Sequence, residues 1–94
     1  MHIKWLQAAL DNLEGEAEYI AQDSKTAAGQ VVLHIMSAVN RLKDHPSLGR
    51  TGRVHGTREL IIADTPYIIP YRVRGNEVQI LRVFHAARKW PKRF

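Results

Sequence analysis

Apolar residues in this chain recur every three or four positions up to Leu42 and every second position from about Glu59 onward, with Pro46 and Gly49 between the two regimes. A 3.6-residue period makes a stripe along a helix, and a period of two makes one face of a strand. The chain therefore has to join helices to a sheet within one short domain. Leu6, Ala9, Leu10, Leu13, Ala17, Ile20 and Ala21 share one stripe, which predicts a first helix running to about Gln22. Gly15 inside it weakens the helix by about 1 kcal/mol relative to Ala. Asp23 and Ser24 are N-cap residues, so a second helix follows at once, with Ala28, Val31, Ile35, Ala38, Val39 and Leu42 as its stripe. Pro46 and Gly49 end it. A link this short makes an antiparallel helical hairpin.

The second half contains TRELIIA, PYIIPYRV and EVQILRVFH, three runs rich in β-branched and aromatic residues. Asp64-Thr65-Pro66 and Gly75-Asn76 separate them as turns, which predicts an antiparallel meander. Met1–Trp5 supplies a further strand. EVQILRVFH is apolar on both faces, as a central strand under helices would be. Arg82 breaks that pattern and marks either the open face of the sheet or a bulge. Pro70 has no N–H to donate, so a bulge or partly unpaired position is expected there too. The expected fold is α+β, in the order β-α-α-β-β-β, as one domain over residues 1–94 with the helices on one face. Alternation sets Ile68, Pro70, Arg72 and Arg74 against Tyr67, Ile69, Tyr71 and Val73, so polar groups collect on the other face.

An apolar fraction of 45% with four prolines fits a folded chain rather than a disordered one. The absence of cysteine removes disulfides, thiolate catalysis and thiolate zinc sites. No run approaches the roughly 18 apolar residues of a membrane span. The opening MHIKWLQAALDNLEGE turns acidic too early for a secretory signal, so a soluble cytoplasmic protein is expected. The net charge of +5 is unevenly spread: residues 50–94 hold ten Lys/Arg against three acids, residues 1–49 four against six. A basic half favours an acidic partner.

The tail ARKWPKRF combines cations with aromatic rings, the residue types that anchor interfaces. Arg53, Arg58, Arg72, Arg82, Arg88, Lys89 and Trp90 are the candidate residues for gripping a target or partner. A catalytic reading is also open. RNA cleavage without a metal needs a base, an acid and cations around the phosphorane. Histidine is the residue type suited to the first two roles, which makes His85 the candidate, and Arg72 and Arg88 could hold phosphate. Each residue has a plainer role as well. His85 at a strand end can be a hydrogen-bonded structural residue, His55 a turn residue, and Arg72 a cross-strand partner of Glu59 or Glu77. Trp5 belongs in the core. His2, His34 and His45 lack metal-ligand spacing, and no cofactor or metal is implied.

Leu42…His45-Pro46…Gly49-Arg50, Arg58-Glu59-Leu60, Tyr71-Arg72-Val73 and Arg82-Val83…His85…Arg88 follow one another in an order that resembles the RelE/ParE superfamily of toxins from bacterial type II toxin–antitoxin modules. The resemblance covers about Ile3 to Pro91. It implies a β-α-α-β-β-β toxin and a cognate antitoxin whose extended C-terminal segment wraps and neutralises it. It further implies that operator DNA is met only through the antitoxin, with no membrane partner. RelE-type members cleave mRNA in the ribosomal A site, and ParE-type members poison DNA gyrase. RelE-like nucleases carry an arginine shortly before the Tyr-x-Val motif, where Ile68 stands here. Their lysine cluster corresponds to Arg50, Arg53 and His55, and no tyrosine follows Tyr71 to match the one some of them use in the tail. Arg88 matches a nuclease arginine, yet ParE-like sequences share it. The resemblance therefore points to a gyrase-binding toxin that breaks no bond itself. A ribosome-dependent mRNA endonuclease using His85, Arg88 and Arg72 is the alternative, kept open by His55, Asp64 and His85.

Overall fold

Ser24 is where the two helices part. Its Oγ accepts a hydrogen bond from the Ala27 N–H at 3.1 Å, capping α2 (Lys25–Asn40) just after α1 (Gln7–Ala21) ends. The computed structural model describes residues 1–87 and 90–94. A 3₁₀ turn, Arg41–Lys43, tightens the end of α2 ahead of Pro46. Ala9, Leu13, Ile20, Val31, Ile35, Ala38, Val39 and Leu42 face the sheet as their spacing requires. Leu10 departs from the expected stripe and is 41% exposed, while Glu16 takes an inner position at 8%. The seam of α1 follows positions 9, 13, 16 and 20, which is narrower than the full apolar set.

The sheet is built from β1 (His2–Trp5), β2 (Arg50–Thr51), β3 (Arg58–Ile61), β4 (Tyr67–Arg74), β5 (Glu77–Ile80) and β6 (Phe84–His85). Its order is β1-β5-β4-β3-β2, with β6 pairing the first residues of β4. Neighbours are antiparallel except β1, which lies parallel to β5 with Ile3 beside Val78. The expected order holds, with two short strands, β2 and β6, in addition. Gly75 takes the positive φ of 57° that the tight turn between β4 and β5 demands. Trp5 is partly buried and packs against the core.

EVQILRVFH is not one strand. Between the pairs Ile68↔Phe84 and Tyr71↔Ile80, β4 contributes Ile69 and Pro70 while the facing segment contributes Leu81, Arg82 and Val83. That one extra residue is a bulge, and Arg82 sits at its centre. Pro70 lies opposite, where a missing N–H costs the ladder nothing, and its carbonyl still accepts from Leu81 at 3.0 Å. The bulge leaves the Val83 N–H without a strand partner. Asn12 on α1 supplies the acceptor, its Oδ1 lying 3.1 Å away.

Tyr71 ties the other end of the sheet. Its hydroxyl accepts from the Gly49 N–H and donates to the Pro46 carbonyl, both at 2.8 Å. Gly49 has to be glycine here, because a Cβ would lie 2.6 Å from Tyr71 Cε1 and 2.9 Å from the Glu59 carbonyl oxygen. Burial pushes the Tyr71 phenol above its ordinary 10.0, an effect reduced by the Gly49 N–H and by the charge of Arg58.

Asn12→Ala is expected to lower unfolding stability by roughly 1–3 kcal/mol in urea titration, since it strands a buried N–H. An unchanged midpoint would show that water replaces the asparagine. Tyr71→Phe is expected to cost a similar amount. It also carries a pH signature, because the folded chain holds the phenol proton more tightly than the unfolded chain. That stability is complete below about pH 10 and is lost as pH rises through the raised folded-state value. The difference in stability between the parent and Tyr71→Phe should therefore shrink in unfolding curves taken above pH 10.

Candidate interaction surface on the open sheet face

Glu59 is the acid around which the helix-free face is organised. Its neighbours Arg58 and Leu60 alternate to the helix side, so its carboxylate points to the open side, yet it is only 1% exposed. A buried carboxylate costs several kcal/mol unless it is fully partnered. Arg50, directly across in β2, donates Nε and Nη2 to Oε1 at 3.1 and 2.9 Å. The Arg53 backbone N–H donates to Oε2 at 2.8 Å, and Arg53 Nε lies 3.6 Å from the same oxygen. Both guanidinium side chains remain about half exposed, at 49% and 46%. Buried acid and half-exposed bases present fixed cations to solvent.

The C-terminal residues fold back onto this base. Arg53 stacks over the Trp90 ring at 3.8 Å, and Trp90 packs on Phe84 with centroids 4.8 Å apart. Phe94 lies 6.0 Å from Phe84, and Arg82 covers Phe94 at 5.4 Å. The Trp90 indole N–H is buried with no acceptor among the described residues.

Arg53, Arg82 and Trp90, singled out from sequence, thus meet in one cluster. Arg58 does not join them: its Nη1 donates to the carbonyls of Gly49 at 2.8 Å and Ser47 at 3.4 Å, clasping the loop before β2. Arg72 pairs with neither Glu59 nor Glu77. Its Nε donates to Gln79 Oε1 at 2.6 Å, because Gln79 is its direct register partner, and Gln79 in turn donates to Glu77 at 2.8 Å. His85 lies elsewhere, in a cleft of about 410 Å³ shared with Glu16, Tyr19, Ile20, Pro66 and Tyr67. Its Nδ1 accepts from the Ala87 N–H at 3.2 Å, and its ring meets Tyr67 edge-on at 5.9 Å. Arg88 and Lys89 fall outside the described residues. Sequence reasoning missed Glu59 as the organiser and Phe84 as the partner of Trp90. A lone acid between Arg58 and Leu60 in so basic a half was the available signal.

On the opposite side, Ala17 and Ala21 of α1 and Ala28, Gly29, Val32 and Leu33 of α2 line an apolar groove of about 500 Å³. Tyr19 and Leu33 stand 67% and 71% exposed on this hairpin. Among the described residues no three His, Asp or Glu side chains converge as a metal ligand set, and no helix is long and apolar enough to cross a membrane.

Residues 3–90 match the family described as the ParE toxin of the type II toxin–antitoxin system parDE. The chain is 47% identical over 90 residues to a putative toxin, Y4kP, of Sinorhizobium fredii, covering 96% of this chain and 93% of that one. It is 36% identical over 86 residues to toxin RelE2 of Caulobacter vibrioides, covering 92% and 96%. A solved chain from a chromosomal ParDE system of P. aeruginosa superposes with a TM-score of 0.82 at 31% identity, over 90% of this chain and 95% of that one.

Glu59→Gln keeps the shape and removes the charge. It is expected to cost about 1.5–3 kcal/mol, the range for hydrogen bonds to a charged group. In a Trp5→Phe background, so that Trp90 alone reports, emission should shift to the red as Arg53 loses its anchor. Unchanged stability and emission would mean that Glu59 organises nothing.

Proposed function

Because this chain belongs to the ParE toxin family of type II toxin–antitoxin systems, we propose that it inhibits DNA gyrase by binding, in the cytoplasm, until a cognate antitoxin covers it. The observation that carries this reading is the dispersal of the groups a nuclease would need. His85 lines the cleft beside α1 with one ring nitrogen committed to Ala87, whereas Arg72 lines a different cleft on the open sheet face. Ile68, where RelE-like nucleases resemble one another in carrying an arginine, is 6% exposed and paired to Phe84. General acid–base catalysis needs both groups within reach of one phosphate, and this arrangement does not favour that. The fixed cations and packed rings of the Arg53–Trp90 cluster suit a gripping surface instead.

The antitoxin has two complementary surfaces to use. Aliphatic side chains of an amphipathic segment fit the groove between α1 and α2, and acidic side chains fit the basic sheet face. Ribosome-dependent mRNA cleavage is the second reading. The likeness to a protein called toxin RelE2 and the His85 cleft with Glu16 and Tyr67 favour it.

Purified, antitoxin-free protein is expected to inhibit gyrase supercoiling at near-stoichiometric amounts and to trap cleaved DNA. His85→Gln should leave that inhibition intact. Truncation after Trp90 removes Phe94 from the aromatic cluster and should weaken inhibition roughly tenfold, the equivalent of about 1.4 kcal/mol of binding. Folded protein that is toxic in cells yet inert on gyrase would sink the proposal and turn attention to mRNA cleavage.

A further inference from the structure

A second cleft on the open sheet face, of about 360 Å³, lies beyond the Arg53–Trp90 cluster and is lined by Arg72 and Arg74 of β4, His55, and Arg93 and Phe94 of the tail. Buried Val54 and Leu81 also line it, and no acidic side chain does. Arg72 is held in place through its Nε by Gln79, itself held by Glu77. Among the described residues nothing accepts from its two Nη groups, and Arg74 and Arg93 have no hydrogen-bond or ion-pair partner. Glu77, the register partner of Arg74, is engaged by Gln79 and does not line the cleft, and three guanidinium groups lining one cleft suit an anion with several acceptor oxygens.

We propose that this cleft grips the phosphate backbone of duplex DNA without reading base sequence. The aliphatic side chains of an amphipathic protein segment fit the apolar groove of the helical hairpin, on the other side of the sheet, and not this cleft. A single strand is held by bases stacking on free aromatic faces. Here Trp90 is covered by Arg53 and packed on Phe84, and Phe94, 37% exposed, meets Phe84 at 6.0 Å and Arg82 at 5.4 Å, so the cleft offers one partly exposed ring and not a succession of faces for a strand. Cations lining a cleft in a sheet face, rather than a helix or ribbon inserted into a groove, meet the protruding phosphates of a duplex and not the base edges within its grooves. The contact therefore adds no operator specificity, which stays with the antitoxin. The gyrase reading supplies only the setting, since a toxin that traps cleaved DNA works where a duplex is bound. The DNA contact is measured without gyrase, so the two ideas fail separately.

The test is fluorescence anisotropy of the full chain with a labelled random-sequence duplex between about 50 and 200 mM salt. Two or three phosphate contacts predict a log–log salt slope of about −2 to −3, at roughly −0.9 per contact. Arg72→Gln and Arg74→Gln should each flatten the slope by about one. Lys25→Gln, on the helical side, should leave it unchanged. Arg74 is exposed and bonds to no described residue, so its variant remains informative even if Arg72→Gln loosens the fold. No binding at the lowest salt, or unaltered slopes in folded Arg74→Gln, overturns the proposal. Tighter binding of a single strand than of the duplex overturns it in favour of base stacking. Displacement of the duplex by polyglutamate as effective, charge for charge, as by unlabelled duplex overturns it in favour of an acidic protein segment.

Discussion

The carboxylate of Glu59 is almost wholly buried on the helix-free side of a sheet whose surrounding sequence is strongly basic. Such a group is tolerated only when its lone pairs are occupied, and Arg50 and Arg53 occupy them. That requirement fixes the loop between β2 and β3, since the Arg53 backbone as well as its side chain is drawn to the acid. A fixed Arg53 in turn gives Trp90 a flat cation to lie on, Trp90 packs on Phe84, and Phe84 meets Phe94. Much of the order on this face traces to one acid.

The two sides of the molecule are chemically distinct. The helical hairpin exposes an apolar groove lined by small residues, and the sheet exposes guanidinium groups with engaged aromatic rings. Membership of this toxin–antitoxin family implies an antitoxin partner, and separate apolar and cationic surfaces allow contacts of different chemistry. The scaffold does not dictate the target, because function depends on sites placed on a fold rather than on the fold itself. The proposal of gyrase rests on where His85, Arg72 and Ile68 lie relative to one another.

Local patterns carried the helices well. Ser24 caps α2 as its type suggests, and Ala9, Leu13 and Ile20 of α1 with Val31, Ile35, Ala38, Val39 and Leu42 face the core, whereas Leu10 is exposed and Ala17 and Ala21 line the groove between the helices. Arg82 and Pro70 each broke a strand pattern for a physical reason, and both lie at the bulge. The site was less legible. Arg53, Arg82 and Trp90 stood out by residue type, but Arg58 stood out equally and turned out to clasp a loop. An arginine reads the same whether it donates to a carbonyl of its own chain or faces solvent, so residue type alone cannot separate the two.

Periodicity, turn residues and charge asymmetry are properties of neighbouring residues along the chain, and they determined two helices, a meander and a basic half. The parallel pairing of β1 with β5, the Asn12 bond to the bulge and the arginines around Glu59 join residues distant in sequence or depend on which face a loop folds over. Burial also decided which polar groups had to find partners. A hydrogen bond is obligatory only where water is excluded, and exclusion of water is a property of the packed tertiary structure.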